Sequence, residues 1–183
     1  MGEENISVVA YLPGELGQFV DDLRRRLNPR FAAWLAHVTI LPPRPLSATA
    51  EDMLAQVREK CLGVDPFEAS LDGVLTFWPA NGVVYLSFAA GFGRFLELHE
   101  HLNCGCLERV ETYPYVPHVT LAQELDEAGT QAVLREAAQE WARYKGELSF
   151  RVDSLSLVRQ EADKRWIDLA PIPLGSLLKP FRR

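Results

Sequence analysis

His118-Val119-Thr120-Leu121 is written twice in this chain: His37-Val38-Thr39-Ile40 stands 81 residues before it (118 − 37). Successive side chains of a strand point to opposite faces. In either copy His and Thr therefore share one face, and Val shares the other with Leu or Ile. One face offers an imidazole and a hydroxyl; the opposite face is apolar enough to sit on helices. Two such strands facing each other would build one polar site from two histidines and two hydroxyls.

The repeat extends beyond the tetrapeptides. A shift of 81 lays Leu71-Asp72 on Val152-Asp153, Val74 on Leu155, and Tyr85-Leu86 on Trp166-Ile167. After each histidine strand the same order is expected: helix, long strand, turn, strand. This is an internal duplication of a whole helix-plus-strand unit. It predicts an α+β fold, bilobal and duplicated, with two pseudo-symmetric, antiparallel-leaning sheets and outer helices around a central cleft. Residues 1–183 are expected to form one such domain, with strands 6–12, 83–90 and 165–172 shared between the lobes.

Local signals fill in the elements. Ile6 to Leu12 reads as a buried strand stopped by Pro13-Gly14. Leu16, Phe19, Val20, Leu23 and Leu27 recur at helical spacing, and the run Arg24-Arg25-Arg26 is expected on a solvated face near the helix C-terminus. Pro42-Pro43 is expected to end the first histidine strand. Thr49 with Asp52 reads as a helix cap, ahead of a buried stripe of Leu54, Val57 and Cys61. A long strand over 67–77 and another over 83–88 flank the Asn81-Gly82 turn. A third helix carries Phe95, Leu98 and Leu102, with His99 and His101 expected to be exposed. A fourth helix is expected over 126–145, closed by Gly146. Strands over 148–158 and 165–170, joined by a charged loop at 160–164, end the pattern. Pro171, Pro173 and the tail Lys179 to Arg183 read as a surface ending.

Composition narrows the function classes. The 183 residues are 48% apolar and 24% charged, the profile of an ordinary globular domain. The net charge of −6 argues against a long polyanionic partner, while leaving room for a small phosphate ligand or an RNA end in a local pocket. Cys61, Cys104 and Cys106 are odd in number and lack zinc-ligand spacing, so free thiols in a reducing compartment are expected. No apolar run reaches the roughly 18 residues of a membrane helix, and the short acidic start is no signal peptide. A cytoplasmic, monomeric protein without membrane association is the expectation.

The chemistry follows from the repeated groups. Imidazole titrates near 6.5, so near neutrality one copy can be neutral and the other protonated, a general base and a general acid in one cleft. Threonine hydroxyls can donate to a charged oxygen lying between them. In-line displacement at phosphorus needs this set: one histidine takes a proton, the other gives one, and the hydroxyls hold the non-bridging oxygens. No metal or other cofactor is expected, since no Asp, Glu or Cys repeats beside the motifs as a third ligand.

The paired His-x-Thr-hydrophobe motifs resemble those of the 2H (two-histidine) phosphoesterase superfamily. They are most similar to its branch of bacterial 2′-5′ RNA ligases and RNA 2′,3′-cyclic phosphodiesterases, over almost the whole chain. The resemblance implies a bilobal α+β fold and metal-independent action on 2′,3′-cyclic phosphates or 2′-5′ phosphodiester bonds. His37 and His118 would be the acid–base pair and Thr39 and Thr120 the phosphate ligands. Relatives often carry Arg where Gln123 stands, so a cation must come from elsewhere or be absent. Arg44 is the candidate, its alternative being a loop arginine. Tyr113 and Tyr115 could stack a base at the cleft mouth or simply pack. The expected partner is a small phosphodiester or an RNA end. Hydrolysis of a non-RNA cyclic phosphate, and a nucleotide-binding module that has lost turnover, are the rival functions.

Overall fold

The computed structural model describes residues 5–31, 33–161 and 166–175. In chain order they form β1 (Asn5–Tyr11), α1 (Gly14–Leu27), β2 (His37–Pro45), α2 (Ala50–Cys61), β3 (Phe67–Thr76), β4 (Val84–Ala90), α3 (Phe92–Leu102), β5 (Val119–Ala122), α4 (Glu127–Arg143), β6 (Ser149–Val152), β7 (Ser154–Gln160) and β8 (Trp166–Pro173). The fold is α+β, as expected. One sheet has the order β2-β1-β7-β8 and the other β5-β4-β3-β6. Every neighbouring pair is antiparallel.

Each histidine strand is the edge strand of its own sheet, and β2 and β5 lie against one another. The two sheets thus meet along their motif-bearing edges. Between β1 and β2 comes α1, and between β4 and β5 comes α3. A strand beyond the next helix then leaves its half. From the first half, β3 joins β4 and β5; from the second, β7 joins β1 and β2. The exchange is made by β3 and β7, while 6–12, 83–90 and 166–172 each stay within one sheet.

Side-chain chemistry explains the local choices. Thr49 Oγ1 accepts the Asp52 N–H at 3.1 Å and starts α2, and Asp126 Oδ1 accepts the Gly129 N–H at 2.7 Å to start α4. The buried stripe of α2 is Met53, Val57 and Cys61. Val38, Ile40, Val119 and Leu121 lie in the core, on the apolar face that the alternation required. Helix α4 ends at Arg143, short of Gly146.

Three expectations about elements need correction. Pro42-Pro43 does not end β2, which runs to Pro45. The prolines sit at a register shift between Leu41 and Arg44 on an edge strand, where a missing N–H breaks no ladder. Residues 148–158 are two strands, not one: after Asp153 the chain changes sheets. The β3 counterpart stays in one sheet and absorbs the same spot as a register shift between Leu71 and Val74. Finally, β8 continues through Pro171 and Pro173, again on a sheet edge. The tail Lys179–Arg183 and most of the charged loop lie outside the described residues. No helix among the described residues is long and apolar enough to cross a membrane.

Candidate active site

The two motifs are built alike at atomic detail. His37 Nδ1 lies 2.6 Å from the Leu35 carbonyl and His118 Nδ1 2.7 Å from the Val116 carbonyl, in each case two residues back. A carbonyl only accepts, so each Nδ1 carries the proton and donates it. Each Nε2 is left with its lone pair. Both strands then bulge at the same motif position. Val8 and Val9 pair with Leu41 and Thr39, skipping Ile40; Val84 and Tyr85 pair with Ala122 and Thr120, skipping Leu121. Such bulges re-aim side chains at sheet edges.

His37, Thr39, His118 and Thr120 line one cavity of about 790 Å³. That volume suits a nucleotide-sized ligand and far exceeds a bare phosphate. Among the described residues no hydrogen bond engages either threonine hydroxyl, so both are available to a guest.

Aromatic rings wall each imidazole. Trp166 lies 4.7 Å from the His37 ring, and Trp34 stacks on Trp166 at 5.0 Å. His118 meets Phe77 edge-on at 5.0 Å and Tyr85 at 5.2 Å. The Trp166 indole N–H is buried with no partner among the described residues. Burial pushes the His37 imidazolium down to about 3, and the nearby Arg24 charge and His118 add to the effect. Burial also lowers His118, partly opposed by its bond to Val116. In the free protein both rings therefore favour the neutral form at pH 7, rather than one neutral and one protonated. An arriving phosphodiester anion would favour reprotonation of one of them.

The remaining candidates divide. Gln123 and Tyr113 line the cavity, and Tyr113 is exposed. Tyr115 also lines it but is engaged in packing: its hydroxyl donates to the Thr39 carbonyl at 2.8 Å, and its ring stacks on His99 at 4.0 Å. Arg44 does not reach the cavity. It is buried, donating to Asn103 Oδ1 at 2.8 Å and to the Leu107 carbonyl, and paired with Glu111 at 2.9 Å. A guanidinium so fully engaged is a staple between β2 and the 103–111 segment. His99 is likewise buried, not exposed: its Nδ1 donates at 2.7 Å to the carbonyl of Ile40, the bulge residue of β2.

Arg24 reverses an expectation in the other direction. It is buried, not solvated, and lines the cavity near His37. The signal was present in the spacing, since Leu16, Val20 and Arg24 recur every four residues on the buried stripe, whereas Arg25 and Arg26 do not. Trp34 carried no sequence signal, and Trp166 carried only its alignment with Tyr85 in the repeat; the tertiary fold is what sets Trp166 on His37 and Trp34 on Trp166. Among the described residues no cluster of three or more His, Cys, Asp or Glu could hold a metal ion.

Twin His-x-Thr strands at the meeting edges of two antiparallel sheets place the molecule in the two-histidine phosphoesterase class. The chain belongs to the 2′-5′ RNA ligase superfamily, whose family model matches residues 12–164. A Halalkalibacterium halodurans protein that carries the name phosphoesterase is 30% identical over 122 residues, 66% of this chain and 71% of that protein. Another of that name, from Oceanobacillus iheyensis, is 27% identical over 158 residues, 84% and 88% of the two chains. Escherichia coli LigT in apo form superposes with a TM-score of 0.63 at 16% identity, covering 94% of this chain and 98% of its own. LigT complexed with 3′-AMP gives 0.62 at 18% identity, over 94% and 99%. A Thermus thermophilus protein gives 0.63 at 22% identity, over 95% and 100%. These structural likenesses establish the shared fold.

Proposed function

We propose that the protein is a phosphodiesterase that opens 2′,3′-cyclic phosphates on nucleotides or RNA ends. His37 and His118 act as the acid–base pair, and Thr39 and Thr120 hold the phosphoryl oxygens. One observation carries the reading. Both imidazoles are locked by the same Nδ1–H donation, and both share one cavity with two uncommitted hydroxyls.

In the forward step one neutral Nε2 takes a proton from water as its oxygen attacks phosphorus. The threonine hydroxyls donate to the non-bridging oxygens, where negative charge grows. The second imidazole, protonated under the influence of the substrate anion, gives its proton to the departing ribose oxygen. Water is added, one P–O bond is made and one is broken, and a phosphomonoester leaves. With a 5′-hydroxyl in place of water the product is a phosphodiester, the ligation sense. The name shared by the bacterial relatives and the 3′-AMP complex of LigT support this chemistry. The net charge of −6 favours a nucleotide or a short RNA end over a long polyanion.

The test is hydrolysis of 2′,3′-cyclic AMP in EDTA, followed by chromatography of the monoester product. Turnover should persist in chelator, and His37→Ala or His118→Ala should lower kcat by about 10³-fold. Thr39→Val or Thr120→Val should lower it by about 10²-fold. Nucleotide binding without product over hours would replace this reading with a module that has lost turnover. Activity abolished by chelator would overturn the mechanism.

A further inference from the structure

The repeated part of the site carries no charge in the free protein: it is two neutral imidazoles and two hydroxyls. A phosphodiester arrives with a negative charge and gathers more as it reacts. Position 123, at the end of β5, offers only the amide of Gln123. Arg109, Glu111 and Glu124 also line the cavity, but the one buried charge on its described wall comes from an unexpected element. Arg24, on α1, is 4% exposed and lines the same cavity as His37, His118 and Gln123.

Its surroundings hold the guanidinium but pair it only at long range. Nη1 donates to the Trp34 carbonyl at 2.7 Å and Nη2 to the Phe31 carbonyl at 3.2 Å. These account for two of its five donors. The nearest carboxylate, Asp21, stands 3.8 Å away, and the same oxygen accepts the Ala36 N–H at 2.7 Å. Asp21 is thus a distant and shared partner, and a buried guanidinium paired in this way gains from a closer anion. Asn28, just past the end of α1, donates to the Gln123 carbonyl at 2.8 Å, which brings the helix end to the wall where position 123 lies. The duplication supplies no counterpart, since 81 residues on (24 + 81 = 105) stands Gly105. Arg109, the other arginine among the described lining residues, is exposed and hydrogen-bonds to the Pro43 carbonyl.

Building on the phosphodiesterase reading, we infer that Arg24 is the cation of the phosphoryl pocket, supplying from helix α1 the charge that Gln123 cannot. It binds the anionic oxygens beside His37 and makes the two halves of a symmetric motif electrically unequal. A merely structural Arg24 would hold the 28–36 segment through its two carbonyl contacts and nothing more.

Calorimetric titration with inorganic phosphate separates the two roles, and it needs no turnover. Arg24→Gln should weaken phosphate binding by about tenfold or more, the worth of one charged hydrogen bond. Arg24→Lys keeps the charge but cannot bridge both carbonyls, and should retain most of the affinity. Arg24→Gln combined with Gln123→Arg returns a cation to the same wall and should recover binding. Thermal unfolding of each variant accompanies the titrations. Undiminished affinity in Arg24→Gln overturns the inference, as does equal loss in Arg24→Lys and Arg24→Gln, or wild-type protein that binds no phosphate. Arg24-dependent phosphate binding in a protein that opens no cyclic phosphate would leave this inference standing and sink the proposed function.

Discussion

Each cavity imidazole sets folding against protonation. His37 is 8% exposed and is held down to about 3, against roughly 6.5 in an unfolded chain. Between those values the unfolded chain binds a proton that the folded protein refuses. The stability is therefore fully present above about pH 6.5 and lost as pH falls toward 3, by up to about 1.4 kcal/mol per pH unit. Carboxylates titrate in the same window, so the comparison must be made between variants. His37→Gln should flatten the loss of stability between pH 7 and pH 4.5, measured as urea midpoints. Parallel curves for variant and wild type would mean that His37 is not kept neutral. At this scale the sequence was informative where a residue type recurred in register. His37, Thr39, His118 and Thr120 were legible because a duplicated polar face on an apolar strand has a chemical reason. Arg24 was hidden inside a run of three arginines, and His99 beside His101. Their burial is decided by which turn of a helix meets another element, a matter of a single residue step.

Among the elements, the joint between β2 and the 103–111 segment shows how the site is braced. Arg44 gathers Asn103, the Leu107 carbonyl and Glu111, and its side chain is 3% exposed against 20% for Glu111. His99 and Tyr115 take the carbonyls of Ile40 and Thr39 on the same edge. An edge strand that must present His37 and Thr39 is thereby fixed from outside the sheet. Arg44→Met should cost about 3 kcal/mol of unfolding free energy, because it leaves Glu111 half-buried and unpaired. Phosphate affinity should fall far less than in Arg24→Gln, since Arg44 lies off the cavity wall and only its partner Glu111 lines it; an equal or larger fall would return Arg44 to the list of ligands. Helices and strands were largely legible from periodicity and from a cap such as Thr49. Where reading failed, at Pro42-Pro43 and Asp153, the reason was sheet context. A proline or a break means one thing in a central strand and another on an edge, and edges are assigned only by the complete fold.

At the scale of the molecule, the 81-residue repeat foretold two like sheets around one cleft, and the sheets do meet along their histidine strands. It did not foretell that β3 and β7 would trade places, because self-similarity in a sequence says which segments are alike and not which are neighbours. That trade has a consequence for the lineage of the fold. Severed in the turn between β3 and β4, each fragment would carry away a strand that completes the other's sheet. Neither piece should fold by itself, whereas the two produced in one cell should reassemble and recover phosphate binding; a well-folded lone fragment would contradict this. A gene encoding a single unit would then have yielded a pair of chains clasped through their final strands, and fusing two such genes end to end would have turned that clasp into the present single-chain scaffold.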